Sequence, residues 1–143
     1  KYAKGGGSMR KRVIGICICL AFALLLGIGA YQAKTIKTPE VTSDLYSQEE
    51  ITDAINVVKQ EMNMNWNGCD LQEIYYAGDE TSKDCLDWAT RNDADESLVL
   101  LSTFYVGNDC EDGSLEPDSM YENWMWILVR SKDGQWKCVD WGY

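Results

Sequence analysis

The sequence predicts an α+β domain in which an antiparallel, curved sheet of about four strands packs on an N-terminal helix and a second short helix. Three observations support this fold class. A capped amphipathic helix comes first, runs of aromatic and β-branched residues follow it, and an Asp-Gly pair separates the last two runs. Consecutive antiparallel strands need only short turns, and an apolar sheet face needs helices to cover it. A chain of 143 residues can hold one such domain and one further N-terminal helix.

The first helix of the domain is predicted from Gln48 to Asn63. It follows a capping-box pattern, in which the Ser47 hydroxyl accepts from the Glu50 amide and the Glu50 carboxylate accepts from the Ser47 amide. Behind this cap, four apolar residues recur at helical spacing: Ile51, Ile55, Val58 and Met62. We therefore expect one face of the helix to lie on the sheet.

A strand and a short second helix are predicted next. The strand covers Leu71 to Ala77, and a glycine turn follows it. The helix begins at a cap formed by Thr81 or Ser82 and ends at Arg91. Its residues expected to face the core are Leu86 and Ala89.

A long strand is predicted over Ser97–Gly107 because this segment is an almost unbroken run of apolar and β-branched residues. An acidic loop, Asn108–Met120, follows it. The start of this loop has the spacing of a calcium-binding loop, but Cys110 occupies the third ligand position, and Ser119 stands where a bidentate glutamate is required. We therefore predict a solvated loop and no metal site.

The last predicted element is a β-hairpin over residues 121–143. Asp133 and Gly134 separate its two runs, and Asp-Gly tolerates the positive φ of a type I′ turn. A two-residue turn would pair Val129 with Cys138. One face of the hairpin would then carry Met125, Ile127, Val129, Trp136 and Cys138. The other face would carry Trp124, Trp126, Leu128, Val139, Trp141 and Tyr143.

Both faces of this hairpin are apolar, whereas a half-exposed strand alternates apolar and polar residues. One face is expected to meet the helices. The second face is either core as well, or it is a ligand pocket, a homodimer face or a site for a protein partner. The residues predicted to form that ligand or partner face are Trp124, Trp126, Trp141 and Tyr143.

The charge of the chain excludes one class of partner. It has 13 basic and 23 acidic residues, and all the acids follow position 39. Such a surface repels phosphate backbones, so we expect no nucleic-acid binding. The acidic surface either serves solubility or attracts a cationic partner.

The absence of histidine limits the chemistry of the chain. It removes the usual general base at neutral pH and the Ser-His-Asp and Cys-His arrangements. We expect no cofactor and no zinc site, since the cysteines also lack Cys-x-x-Cys spacing. The enzymatic alternative is a small pocket isomerase or hydrolase that uses a buried carboxylate, Asp140, together with a tyrosine.

Residues 9–33 are predicted to be a signal peptide or a membrane anchor. A basic start, Met9 to Arg12, precedes the uncharged residues 13–31, which places the C-terminal domain outside the cell membrane in a single-pass arrangement. An uncleaved anchor is favoured because the site near Ala30 has Ile28 where a small residue is needed; secretion after cleavage there is the alternative. Lipid attachment is not expected, since Cys17 and Cys19 each follow an isoleucine.

The remaining N-terminal segments are interpreted by composition. Residues 1–8 are interpreted as translated upstream sequence or a tag, and residues 34–46 as an extended linker. Residues 47–143 form the predicted extracytoplasmic domain.

Four cysteines lie outside the membrane segment and are candidates for disulfides: Cys69, Cys85, Cys110 and Cys138. Three pairings exist. Cys110 and Cys138 are predicted at opposite ends of the hairpin stack, which disfavours their pairing and, with it, the pairing of the other two. Free thiols are the alternative.

A further pattern lies in the C-terminal stretch and consists of Trp124, Trp126, Leu128, Val129, Arg130, Gly134, Trp136, Lys137, Trp141, Gly142 and Tyr143. This pattern resembles the last two strands of small secreted or membrane-anchored cystatin-like domains of Gram-positive bacteria, of the nuclear-transport-factor-2 type. The first helix is similar as well. The similarity covers about residues 47–143 and brings no catalytic residue with it.

The sequence therefore predicts a non-enzymatic binding or accessory domain, either membrane-anchored or exported. Its ligand is not indicated by any motif.

Overall fold

The computed structural model describes residues 35–110, 112–132 and 134–143. Within these ranges no helix has the length and apolar character needed to cross a membrane. The predicted signal or anchor segment, residues 9–33, and the predicted upstream residues 1–8 lie outside the described residues. The described elements, in chain order, are α1 (Gln48–Asn65), β1 (Cys69–Tyr76), α2 (Asp79–Asp84), α3 (Leu86–Arg91), β2 (Glu96–Val106), β3 (Ser119–Arg130) and β4 (Lys137–Gly142).

The four strands form one antiparallel sheet in the order β1-β2-β3-β4. The predicted α+β class and the predicted number of strands are confirmed. Each strand neighbours the next one along the chain, as consecutive strands commonly do. The helices α2 and α3 lie between β1 and β2, and the loop of residues 107–118 joins β2 to β3. The two central strands, β2 and β3, are the longest and carry most of the buried residues of the sheet.

Helix α1 covers one face of the sheet. The predicted capping box is present: Glu50 N donates to Ser47 Oγ (3.2 Å), and Ser47 N donates to Glu50 Oε2 (2.8 Å). The side chains that α1 buries are Ile51, Ala54, Ile55, Val58 and Met62. They meet one face of the central strands, which contributes Leu98, Leu100, Phe104, Val106, Trp126 and Leu128.

The predicted second helix is two short helices, α2 and α3, with Cys85 between them. Ala89 is buried as expected, but the prediction for Leu86 is wrong, since that side chain is 50% exposed. Before this break, Ser82 bonds to β2: its hydroxyl accepts from Val99 N (3.1 Å), and its carbonyl accepts from Ser97 Oγ (2.8 Å).

Helix α3 contacts both β2 and β3. Three side chains that alternate to the face away from α1 are also buried: Val99, Ile127 and Val129. Part of the second sheet face is therefore core, covered by the short helices.

The register predicted for the last hairpin is wrong by one residue next to the turn, whereas Ile127 pairs with Asp140 and Trp126 with Trp141, as the predicted register requires. Val129 pairs with Lys137 and Leu128 pairs with Cys138, with a bulge between Ile127 and Leu128. The connection is also longer than two residues, since β3 ends at Arg130 and β4 begins at Lys137. Asp133, the first residue of the predicted Asp-Gly turn, lies outside the described residues.

The bulge changes which side chains share a face, because a slip of one residue turns a side chain to the other side of the sheet. Cys138 joins the face of Leu128 and Trp126 rather than that of Val129. Trp136 precedes β4 and is buried against α1, where its Nε1 donates to the Glu50 carbonyl (3.1 Å).

The segment before α1 is extended and packs on the domain. Ile36, Val41 and Tyr46 lie against the core. Lys37 N donates to the Gln72 carbonyl (2.9 Å), which adds a short parallel contact at the outer edge of β1.

Candidate functional site

Trp66 is the residue around which the aromatic side chains of the domain gather. Helix α1 ends at Asn65, and Trp66 leaves the helix at φ −115° and ψ 58° while its amide still donates to the Met62 carbonyl (3.0 Å). Gly68, at φ +80°, then turns the chain into β1 at Cys69. This turn places the Trp66 ring against the sheet, where it is buried.

Four rings of the sheet contact the Trp66 ring. Their centroids lie 4.9 Å away at Trp126, 5.6 Å away at Phe104, 5.8 Å away at Trp141 and 6.0 Å away at Trp124. All four contacts are edge-to-face or tilted, as the quadrupoles of aromatic rings prefer. A helix end and three strands are thereby joined by one aromatic cluster.

The four aromatic residues predicted as a ligand or partner face come together, but on the side of the sheet that α1 covers. Trp126 is fully buried, and its Nε1 donates to Ser102 Oγ (2.8 Å). Trp124 is half-buried, and its Nε1 has no acceptor among the described residues. Trp141 and Tyr143 are 46% and 78% exposed, so solvent reaches this end of the set.

A cleft of about 330 Å³ opens beside Trp66 and Trp141, and we call it the Trp66 cleft. Its other lining residues come from the end of α1, the turn after it, the start of β1 and the loop after β2: Glu61, Asn65, Asn67, Cys69, Cys110 and Asp112. The cleft therefore combines an aromatic wall with a polar rim.

The two carboxylates of the Trp66 cleft are held in place by hydrogen bonds. Asn65 Nδ2 donates to Glu61 Oε1 (2.9 Å). Asp112 Oδ1 accepts from the hydroxyl and the amide of Ser114 (2.6 and 2.8 Å), and these bonds lower the pKa of Asp112. Neither lysine nor arginine occurs among the described residues that line the cleft, so its potential is negative at neutral pH.

The four candidate disulfide cysteines are free thiols in the structure, and they separate into one close pair and two single residues. The Sγ atoms of Cys69 and Cys110 are 3.7 Å apart in the wall of the cleft. Cys85 lies between α2 and α3. Cys138 lies on β4 against the core, and burial raises its pKa to about 12.

A second cluster of charged side chains surrounds Arg130 at the other end of α1. Arg130 Nε donates to Glu96 Oε2 (2.5 Å), and its Nη2 is paired with Glu50. The guanidinium carbon also lies 4.2 Å from the centroid of the Trp136 ring. Because two carboxylates and an aromatic ring already contact this guanidinium, we interpret the cluster as structural.

The carboxylate of the enzymatic alternative, Asp140, is half-exposed on β4. It is paired with Ile127, whose side chain lies on the side of the sheet away from α1. Asp140 lines neither the Trp66 cleft nor the two clefts beside Arg130. Among the described residues, no group of three or more cysteines and carboxylates is arranged to hold a metal ion.

Sequence reasoning missed the residues that α1 contributes to the cleft. Glu61 and Asn65 are four residues apart and therefore share one face of the last turns of α1, and Trp66 follows directly. The spacing of Glu61 and Asn65, followed by Trp66 and Gly68, is the sequence pattern that could have indicated these cleft residues. No sequence pattern indicated Asp112, because it lies in a loop and its position depends on how that loop folds.

The fold and the cleft define a class of protein, a small α+β domain with an acidic cleft that has an aromatic wall. Comparisons of the chain with protein-family models, with curated proteins and with solved structures each found no match.

Proposed function

We propose that the described domain is a non-catalytic binding domain that holds a cationic group in the Trp66 cleft. One observation carries this proposal: two tryptophans, Trp66 and Trp141, and two carboxylates, Glu61 and Asp112, line the same small cleft. The faces of aromatic rings attract cations, and so do carboxylates. An ammonium or guanidinium group therefore has both kinds of partner in one place.

The dimensions of the cleft limit the ligand. A volume of about 330 Å³ is near the lower end of the range of ligand pockets, which is roughly 300–1,000 Å³. It suits one charged head on a short apolar stem, such as a small amine or the basic side chain of a partner. Trp141 lines the cleft and is 46% exposed, so it extends the apolar surface outward, where the stem would lie.

The charge of the whole domain favours the same ligand class. All 23 acidic residues of the chain follow position 39. A negative field around the cleft raises the rate at which cations reach it, and salt weakens that effect.

We further propose that this is a cystatin-like domain of the nuclear-transport-factor-2 type, held outside the cell by residues 13–31. One helix followed by four sequential antiparallel strands, with the short helices α2 and α3 between the first two strands, supports the family assignment. The basic residues before position 13 support the orientation. A non-catalytic role agrees with the absence of histidine from the chain and with the position of Asp140 outside the described clefts beside Trp66 and Arg130.

The test is a titration of the full chain with hexylamine, followed by tryptophan fluorescence, with hexanol as the neutral probe of equal length. We expect saturable binding of hexylamine, weaker binding at high salt, and much weaker binding of hexanol. Glu61→Gln removes one carboxylate and is expected to weaken hexylamine binding by about fivefold.

Glu80→Gln is the matched control for this titration. It makes the same charge change on α2, where Glu80 is exposed and paired only with Lys83 at 3.0 Å among the described residues. Equal weakening by both variants would show that only net charge matters, and hexanol binding as tight as hexylamine would also contradict the proposed site.

A further inference from the structure

Cys69 and Cys110 bring two distant parts of the chain together. Cys69 is the first residue of β1, and Cys110 lies in the loop after β2, 41 positions later. Their Sγ atoms are 3.7 Å apart and share a hydrogen bond. Both side chains are half-buried, so a small oxidant can reach them from the Trp66 cleft that they line.

The backbone around these two residues holds the contact in place. Gly107 N donates to the Gly68 carbonyl (2.8 Å), and Cys110 N donates to the Gly107 carbonyl (3.3 Å). A Cβ placed on Gly68 would lie 2.6 Å from the Cys110 Cα, which shows how closely the two segments approach. Side-chain movement can therefore bring the sulfurs to a bond length of about 2 Å while these backbone contacts persist.

We propose that Cys69 and Cys110 form a disulfide that fastens the loop after β2 to the start of β1. The oxidant is a disulfide, either of low molecular weight or in a partner protein. One thiol loses its proton and attacks this disulfide, which gives a mixed disulfide and releases one thiol. The second cysteine loses its proton, attacks the protein sulfur of the mixed disulfide and releases the second thiol. Two protons and two electrons thus pass from the protein to the oxidant.

The surroundings of the pair affect the rate of this exchange. Burial, the Cys110 thiol and the charges of Asp112 and Asp109 raise the pKa of Cys69 above its ordinary value. Because the thiolate is the attacking species, exchange at Cys69 is expected to become faster as the pH rises.

The other two candidate disulfide cysteines, Cys85 and Cys138, have different surroundings. Among the described residues, neither Cys85 nor Cys138 has the sulfur of another cysteine within hydrogen-bond distance, and the Cys138 thiol instead donates to the Asp140 carbonyl (3.8 Å). They are expected to stay reduced when Cys69 and Cys110 are joined.

Peptide mapping tests this assignment directly. The full chain is incubated with glutathione disulfide, alkylated, digested without reductant and analysed by mass spectrometry. We expect one cross-linked peptide joining Cys69 to Cys110, about 2 Da lighter than the two thiol peptides together, and alkylated Cys85 and Cys138. Cys17 and Cys19 are mapped separately. Alkylation of both Cys69 and Cys110, or cross-linking of either one to Cys138, would overturn the proposal.

Thermal unfolding tests whether the bond fastens the loop. The oxidised chain is expected to have a Tm about 10 °C above that of the reduced chain. Cys110→Ser should remove this difference, and Cys85→Ser, the matched control, should retain it. A redox-dependent rise that survives Cys110→Ser would contradict the proposal. Neither measurement uses a ligand, so both results are independent of the proposed cation binding.

Discussion

Arg130 joins three elements through one buried guanidinium. Its side chain is 11% exposed, and it contacts Glu50 at the start of α1 and Glu96 at the start of β2. The ring of Trp136 lies against the same guanidinium. Burying a cation costs desolvation free energy unless the cation is paired. Both acids here remain partly open to solvent, which reduces their own desolvation cost.

The pair formed by Glu50 and Arg130 makes stability depend on pH. Hydrogen bonds from Arg130 and from the Ser47 backbone lower the pKa of Glu50 to about 2, from an ordinary value of 4.5. A lowered pKa contributes stability that is present above pH 4.5 and is lost as the pH falls towards 2. Glu50→Gln is expected to lower the free energy of unfolding by about 1 kcal/mol at pH 7. The loss is modest because the carboxylate is one-third exposed and solvent screens its interaction with Arg130.

Urea unfolding at pH 7, 5, 4 and 3 measures this effect. The Glu50→Gln chain should lose less stability between pH 5 and pH 3 than the unaltered chain does. Glu49→Gln, which changes the exposed neighbouring acid, is the control. Equal acid sensitivity of the unaltered chain and the Glu50→Gln chain would contradict the role of this ion pair.

At the scale of elements, the turn between α1 and β1 determines the shape of the candidate site. It places Trp66 against the sheet and brings the backbone of residue 68 onto the loop after β2. Gly68 is required there for two reasons. Its φ of +80° lies in the region that favours glycine, and a side chain would meet the backbone of Cys110.

Gly68→Ala is therefore expected to destabilise the chain by about 2 kcal/mol or more, through backbone strain and displacement of the loop. Gly113→Ala is the matched control, since a Cβ on Gly113 would have no neighbour within 4 Å among the described residues. Urea unfolding measures both variants. Similar stabilities of the two variants would show that the close approach at Gly68 is unimportant.

On the scale of the whole molecule, the segment before α1 contributes to the core of the described domain. The Tyr46 hydroxyl donates to the Ser97 carbonyl (2.7 Å), and its ring packs edge-on against Trp136 and Tyr76. Asp79 in turn accepts from Ser43 Oγ (2.6 Å), which joins the same segment to α2. Residues 35–46 thus contact the core of the sheet through Tyr46 and helix α2 through Ser43.

A chain that begins at residue 47 is expected to be less stable than one that begins at residue 35 by about 2–3 kcal/mol, the contribution of one large buried side chain. Urea unfolding of the two chains measures the difference. A Tyr46→Ala substitution in the longer chain should account for most of it. Equal stability of the two truncated chains would mean that the segment only lies on the surface.

The elements that depend on neighbouring residues were predictable. The capping box at Ser47 and the apolar spacing behind it lie within one helix, and α1 forms as they predict. The order of strands was also predictable, because strands that follow one another along the chain commonly lie side by side in the sheet. The break at Cys85 was not, since it depends on how Ser82 bonds to β2.

The sequence by itself determined the fold class, the first helix and the candidate aromatic and cysteine residues, because propensity and periodicity act over a few residues. The tertiary structure decided the hairpin register, which follows the bulge at Leu128 and the burial of Trp136. It also decided the site, since the Trp66 cleft and the Cys69–Cys110 contact join residues that are far apart in the chain. Such contacts depend on how whole elements pack, and no local pattern in the sequence specifies that packing.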